Sequence, residues 1–307
     1  MKVLAIVLTY NEALHLPRCL KSLEGVVDRV LVVDSFSNDE TEEVARSHGA
    51  EFLQNPFVNQ ALQFNWGLTH VSGNPDWILR IDADEYLTPA LAEEVRARLP
   101  GLGLDIDGVT FARRMTFQGR LIRFGGVFPV RVVRLFRFGR GECENRWMDE
   151  HIRVEGKTLD FDGELVDDNL NSLTWWTDKH NRYASREAVE MLSARYGFAA
   201  QEVGSGYSSG TQASFKRSLK QHVYVKLPGG IRALLYFFYR YVVRLGFLDG
   251  RAGFAFHVLQ GFWYRYLVDA KVDEVERYMR IQNVGPAIAI DRVLGIKLDT
   301  NGLSSAD

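Results

Sequence analysis

Trp77-Ile78-Leu79-Arg80-Ile81-Asp82-Ala83-Asp84-Glu85 is the stretch that decides the fold. A short apolar run stops abruptly in carboxylates. A run with little polar alternation reads as a strand covered on both faces, which is the habit of parallel sheets. Carboxylates at its carboxyl end stand where α/β sheets bind ligands. The same reading recurs outward. Lys2–Tyr10 and Arg29–Asp34 are buried strands that end in Thr9-Tyr10-Asn11-Glu12 and Asp34-Ser35. Glu12–Leu23 has helical spacing, with Leu14, Cys19, Leu20 and Leu23 on one side. Ser37 and Glu40 have capping-box spacing for a helix to about His48. Glu51–Gln54 reads as a short strand and Gln60–Val71 as a helix. Thr88-Pro89 is a cap followed by proline at the first helical position, opening a helix to Leu99. This alternation predicts an α/β domain with a mostly parallel sheet. Three polar strand ends on one edge of it form one candidate site.

The chain has 307 residues, enough for one large domain or two smaller ones. With 46% apolar and 25% charged residues it is globular, which excludes wholesale disorder, collagen and coiled coil. Two cysteines, Cys19 and Cys143, exclude a disulfide scaffold and a cysteine zinc site. The net charge of −2 excludes a general polyanion binder. That charge is unevenly placed: Thr211 to Lys271 carries ten Lys/Arg and two Asp/Glu, so the remainder is acidic. Between Ile231 and Tyr266 lie 12 of the aromatic residues, which makes this basic part a candidate surface module. The apolar run of MKVLAIVLTYNE stops at Asn11-Glu12, so no secretory signal is expected. Ile231–Leu248 is broken by Arg232, Arg240 and Arg244, so no membrane span is expected either.

GVTFARR, GRLIRF and VRVVRLFRF, within 108–138, read as strands with turns at Gly119 and Gly125-Gly126, adding antiparallel pieces. Arg182–Arg195 has helical periodicity. Val203–Thr211 is a Gly/Ser-rich linker, and the last dozen residues fray.

Two carboxylates one residue apart, Asp82 and Asp84, can meet one cation, and oxygen ligands suit Mg²⁺ or Mn²⁺. Asp34 can accept from a base or a ribose, or cap the loop that follows it. Tyr10 can stack on a base. The absence of G-x-G-x-x-G and of a P-loop argues against dinucleotide and triphosphate sites.

TYNE (9–12), VVDSFSNDET (32–41), WILRIDADE (77–85), VRLFR (133–137) and DEHIRVEG (149–156) together resemble glycosyltransferase family 2, transferases with a GT-A fold that use nucleotide sugars. KHNRYASREA (179–188) and LGFLDGRAGF (245–254) are similar to C-terminal features of the bacterial branch that includes lipopolysaccharide-core β-glucosyltransferases. The resemblance covers roughly residues 1–270. It implies that Tyr10 and Asp34 hold the base, most often uracil, with Thr9, Asn11, Glu12, Ser35 and Ala83 also lining the nucleotide. Asp82 would contact ribose or metal, and Asp84 would ligate Mg²⁺ or Mn²⁺ on the diphosphate. Glu150, or else Asp149, would be the catalytic base, and His151 a metal ligand or phosphate donor. One departure stands in the Gln60–Gly67 helix, where Gln63-Phe64-Asn65 lacks the family's basic residue. Phosphate neutralisation then falls to the metal and to arginines such as Arg131 or Arg134.

A single base without a second carboxylate nucleophile implies direct, inverting displacement. The implied activity is metal-dependent transfer from a UDP-sugar to a glycan or lipid-linked glycan in bacterial surface polysaccharide or lipopolysaccharide assembly. The alternatives are a membrane-associated nucleotide-sugar-binding scaffold without turnover, or a sugar nucleotidyltransferase. The expected organisation is a GT-A domain over 1–200, a linker at 201–211 and a helical, basic-aromatic extension over 212–307. Its segment Ala233–Leu248 fits the membrane interface and is too apolar to track nucleic acid. The expected location is cytoplasmic, peripheral at the inner face of the cell membrane.

Overall fold

The computed structural model describes residues 1–144, 150–197 and 230–298. Asp149, the Val203–Thr211 segment and the last residues lie outside them. Strands β1 (Val3–Thr9), β2 (Arg29–Asp34), β3 (Glu51–Gln54) and β4 (Trp77–Asp82) pair in parallel in the order β3-β2-β1-β4. Helices α1 (Leu16–Leu23), α2 (Thr41–Ser47) and α3 (Gln60–Thr69) connect them. Further along come β5 (Glu85–Leu87), α4 (Pro89–Arg98), β6 (Ile106–Phe117), β7 (Arg120–Ile122), β8 (Val130–Arg137), β9 (Gly141–Cys143), β10 (Ile152–Val154), β11 (Lys157–Asp167) and α5 (Leu173–Tyr196). Among the described residues the main sheet has nine strands, ordered β3-β2-β1-β4-β8-β6-β11-β5, with β7 on β6. The expected α/β class is present. Parallel pairing covers β1–β4 and β6 with β11, while β8 runs antiparallel to both β4 and β6.

The apolar runs have a direct cause, since both faces of the first strands are covered. One core joins Val7 and Leu79 to Leu16, Leu20, Leu91 and Phe161. The other joins Ile6 and Ile78 to Phe64 and Phe136. Thr88 caps α4 by accepting from the Leu91 N–H at 3.3 Å, as the cap-and-proline signal predicts. Two starts differ from expectation. The helix expected from Glu12 begins at Leu16, because Glu12 and His15 are bonded to each other in the preceding loop. Ser37 bonds to Asp34 and caps no helix, so α2 begins at Thr41. Helix α5 extends upstream of Arg182 because Ser172 caps it, accepting from the Trp175 N–H at 3.2 Å.

Helix α5 shares a core with the C-terminal part of the chain: Ala184, Ala188 and Leu192 pack on Val268, Val272 and Ile290. The segment from Gly230 is helical through Ile231–Phe238, Gly250–Phe256, Tyr264–Gln282 and Pro286–Leu294, with π-helical stretches at Tyr239–Val243 and His257–Trp263. No helix among the described residues is long and apolar enough to cross a membrane. The first of these helices has inverted polarity. Leu234, Leu235 and Phe238 face outward, while Arg232 and Arg240 are buried, Arg232 against Asp269 and Arg240 on the Gly125 carbonyl. These two arginines therefore brace the interior, while Arg244 remains exposed.

Close packing at Gly163 makes one test of this arrangement. A methyl there would stand 2.7 Å from the Leu91 backbone nitrogen, and helix backbone cannot yield as a flexible side chain does. Gly163→Ala is expected to destabilise the protein by about 1–3 kcal/mol, read as a lowered denaturation midpoint at unchanged slope.

Candidate functional site

The register of the parallel strands places the polar ends side by side. Thr9 is opposite Asp34, and Leu8 is opposite Asp82. The first group is organised around Asp34, which is fully buried. Its carboxylate accepts from Thr9 Oγ1 at 2.8 Å, the Ser37 N–H at 2.8 Å and Gln54 Nε2 at 3.1 Å. Ser35 Oγ accepts from Gln63 Nε2 at 3.1 Å. Asn11 adopts φ 54°, a left-handed conformation that asparagine tolerates well, and its side chain accepts from the Asn38 N–H. Tyr10 is left outward, 59% exposed. His15 Nε2 accepts from the Leu170 N–H at 2.9 Å, so the proton of the neutral ring is on Nδ1 and is donated to Glu12 at 2.6 Å. Burial raises the Glu12 carboxyl above its usual range against the pull of His15, and Asp84 adds to the rise.

The second group turns on two buried arginines. Arg80 donates to Glu150 at 2.9 Å and to Cys143 Sγ at 3.1 Å. Arg134 donates to Glu85 at 2.5 Å and to Asp82 at 3.3 Å. Burial alone would raise Asp82, but Arg134 and Arg80 outweigh it and hold that carboxyl below its usual range. For Glu85 burial wins, and its carboxyl is pushed up to about 7 despite Arg134. Ala83 points into the core, so only its backbone faces the site.

Asp84 belongs to a third group. Its Oδ2 accepts from Asn169 Nδ2 at 3.1 Å, and its carbonyl accepts from the Asp168 N–H at 3.1 Å. Arg18 bonds to Asp168, which ties down the loop after β11. Asp167 is pushed up to about 6 by burial and by the charge of Asp84. Lys179, on α5, faces Glu12, Asp84 and Asp167; their charges, with Tyr183, outweigh burial and hold its ammonium above its usual range. His151 is exposed at the start of β10, beside Glu150, and its carbonyl accepts from the Glu144 N–H. Among the described residues no cluster of three or more His, Cys, Asp or Glu forms a metal cage. The donor set around Asp84 nonetheless fits a hard divalent cation shared with substrate phosphates, which needs one or two carboxylates and no thiolate. Asp84 Oδ1 accepts no hydrogen bond from another described residue.

Residues 4–138 match the family model for glycosyl transferase family 2. Over 204 residues the chain is 32% identical to the lipopolysaccharide core biosynthesis glycosyltransferase LpsC of Rhizobium meliloti (strain 1021), covering 62% of this chain and 72% of that one. The chain belongs to glycosyltransferase family 2. An uncharacterized glycosyltransferase of Rickettsia bellii (strain RML369-C) is 38% identical over 94 residues, and the match spans only 31% of its length. Among solved structures, glucosyl-3-phosphoglycerate synthase from Mycobacterium tuberculosis aligns at 22% identity and TM-score 0.31, over 37% of this chain and 44% of that chain. Mannosyl-3-phosphoglycerate synthase from Rubrobacter xylanophilus aligns at 27% identity and TM-score 0.32, over 38% of this chain and 41% of that chain.

Within this family 2 chain the departure in α3 has a structural counterpart. Gln63 is buried against Asn55 and Ser35, and Asn65 clamps the backbone of Cys143 at 2.8 and 2.9 Å. The arginines named for phosphate are engaged elsewhere: Arg134 lies under Asp82, and Arg131 donates to the Phe161 carbonyl beside Asp160. Sequence reasoning missed Arg80, Glu85, Arg113, Asp167 and Lys179. Arg80 and Glu85 were in view inside WILRIDADE as charges too close to a buried strand to be solvated.

The raised Glu85 carboxyl makes a pH prediction. The folded protein holds that proton between the ordinary value of 4.5 and about 7, so the contribution of Glu85 to stability falls across this window as pH rises. Glu85→Gln does not share the fall. Its stability relative to wild type is expected to increase from pH 5 to pH 7.5 in denaturant titrations, and a constant difference would count against the assignment.

Proposed function

We propose that this chain transfers a sugar, with inversion, from a nucleotide-sugar donor, a UDP-sugar, to a glycan or lipid-linked glycan acceptor in bacterial surface polysaccharide or lipopolysaccharide assembly. The observation that carries this reading is the separation of carboxylates at one sheet edge. Asp84 presents an open oxygen in one group, and Glu150 is held by Arg80 in another. Tyr10, beside the loop of Thr9, Asn11, Glu12, Asp34 and Ser35, offers a face for the base. Asp34 has its carboxylate occupied by protein donors, so its part is to shape that loop. Asp82 and the backbone of Ala83 border the ribose, and Asp84 holds Mg²⁺ or Mn²⁺. Such an ion supplies Lewis acidity to the diphosphate when bound. Glu150, oriented by Arg80, takes the proton of the acceptor hydroxyl as that oxygen attacks the anomeric carbon from the face opposite the diphosphate. Asp149 is the second candidate for the base, and His151 borders it. The name of the LpsC relative supports the class of acceptor.

The transferase part extends to about residue 200, followed by a linker at 201–211 and a membrane-proximal extension over 212–307. The inverted helix supports the last assignment: Ile231, Leu234, Leu235, Phe238 and Val242 form an outward apolar stripe at helical spacing, with Arg244 exposed beside it. Such a stripe suits the interface of an anionic membrane and supports the reading of an enzyme at the inner face of the cell membrane.

Calorimetric titration with UDP and Mn²⁺, repeated with EDTA, tests the donor site. Asp84→Ala is expected to abolish the metal-dependent part of UDP binding. Glu150→Gln is expected to retain UDP binding and lose transfer by about 10²–10⁴-fold, as removal of a general base does. UDP affinity insensitive to EDTA would remove the metal role. For the membrane, the double variant Leu234→Glu/Phe238→Glu is expected to stop co-sedimenting with vesicles containing phosphatidylglycerol, while wild type pellets with them. Wild type staying in the supernatant would refute the membrane assignment.

A further inference from the structure

Lys179 lies in the second turn of α5, outside the segment matched by the family model, and no role has been given to it above. Its ammonium is 4.7 Å from the Trp175 ring centroid and 5.7 Å from that of Tyr183. These residues stand one turn to either side, so the stem is held between two rings. Lys179 is half-buried and makes no hydrogen bond or ion pair with another described residue. The two rings and the nearby carboxylates favour its charge, but none of them accepts a hydrogen bond from it, so its N–H donors are open to a ligand. The loop that carries α5 is pinned over the site, because Asp168 and Asn169 both bond to Asp84 and Leu170 bonds to His15. Arg113, on β6, repeats the pattern. It is half-buried, has no hydrogen bond or ion pair with another described residue, and its charge acts on Asp82, Glu85 and Asp167. The other site arginines are spent: Arg80, Arg134 and Arg18 are each bonded to carboxylates. Lys179, beside Asp84, and Arg113, beside Asp82 and Asp167, are therefore cations that no described residue hydrogen-bonds.

We infer that Lys179 binds the diphosphate of the nucleotide-sugar donor, its ammonium donating to a non-bridging phosphate oxygen, with Arg113 as a second cation. This rests on the donor reading given under Proposed function. In the transfer step the bond between the anomeric carbon and the diphosphate oxygen breaks, and its electron pair stays on that oxygen. The acceptor oxygen forms the new bond, and its proton passes to the base carboxylate. The extra negative charge on the departing diphosphate is what Lys179 opposes, a charge that Gln63-Phe64-Asn65 of α3 cannot meet.

The test is calorimetric titration of uridine, UMP and UDP, each with Mn²⁺, into wild type, Lys179→Met and Lys179→Arg. Methionine keeps an unbranched stem between Trp175 and Tyr183 but lacks the charge. The expected result is a loss of at least tenfold in UDP affinity for Lys179→Met, unchanged uridine affinity and partial recovery of UDP affinity in Lys179→Arg. Unchanged uridine binding also reports that the nucleoside pocket of the variant is folded. Wild type binding UDP with Lys179→Met binding it equally well overturns the assignment of Lys179 alone. Wild type binding none of the three overturns the donor reading and this assignment together. Equal losses for uridine and UDP in Lys179→Met reduce Lys179 to a structural residue.

Discussion

The acidic edge of this sheet exists because two guanidinium groups are buried beneath it. Leu79 of β4 pairs with Leu135 of β8, so Arg80 and Arg134 fall at the next step of the same antiparallel register. Like charges placed so closely destabilise a sheet on their own. Here they alternate with Asp82, Glu85 and Glu150, and each arginine bonds to carboxylates. Removing one arginine would leave a buried carboxylate uncompensated, which costs several kcal/mol. The antiparallel insertion of β8 beside β4 is thus a condition for the chemistry as well as a feature of topology. A purely parallel sheet with these strand ends would keep Arg80 of β4 but lose Arg134, the partner of Glu85 and Asp82.

That arrangement sorts the carboxylates into two kinds. Asp82, Glu85 and Glu150 are committed to arginines and are held in place. Glu12, Asp84 and Asp167 act on one another, offset among the described residues by His15 at Glu12, by Lys179 and, at Asp167, by Arg113. Burial and repulsion raise Glu12 and Asp167, so a further cation beside them would relieve that repulsion. A divalent ion that arrives with a diphosphate brings both signs at once. On the donor reading proposed above, the net change in charge would be small, and each component would meet its counterpart among these groups.

The sequence was legible where one physical cause acted alone. Strands β1, β2 and β4 are covered on both faces, so their apolar runs spoke without ambiguity, and Thr88-Pro89 marked α4 because a cap and a fixed φ act locally. It was less legible where a polar side chain had two possible partners. Ser37 can cap a helix or bond to Asp34, and the buried carboxylate wins because an unsatisfied buried charge costs more than a missing cap. Glu12 similarly serves His15 in place of a helix start. Strand β5 is three residues long and pairs with β11, about eighty residues away, a match that no local pattern announces. Of the candidate site, the strand ends could be read from the sequence. The counter-charges could not, because Arg134, Arg113 and Lys179 come from elements whose neighbours only the fold decides.

The outward stripe near Ile231 has consequences for the site because of how it is anchored. Asp249 accepts from the Arg123 and Phe124 N–H groups, at 3.1 and 2.9 Å, the Gly125 N–H donates to the Arg244 carbonyl at 2.8 Å, and Arg240 donates to the Gly125 carbonyl. The C-terminal helices are therefore stitched to the loop that joins β7 to β8, and β8 carries Arg134. On the other side they share a core with α5, which carries Lys179. Both connections combine packed apolar side chains or backbone hydrogen bonds with arginine contacts: Arg240 on the Gly125 carbonyl, and the Arg195–Glu276 and Arg265–Glu187 pairs between α5 and the C-terminal helices. A surface that takes up the apolar stripe would thereby fix the orientation of β8 and α5 together, and with them the mouth of the acidic pocket. For an acceptor that is itself held in a lipid layer, that orientation reduces the search for the attacking hydroxyl from three dimensions to the plane of the membrane.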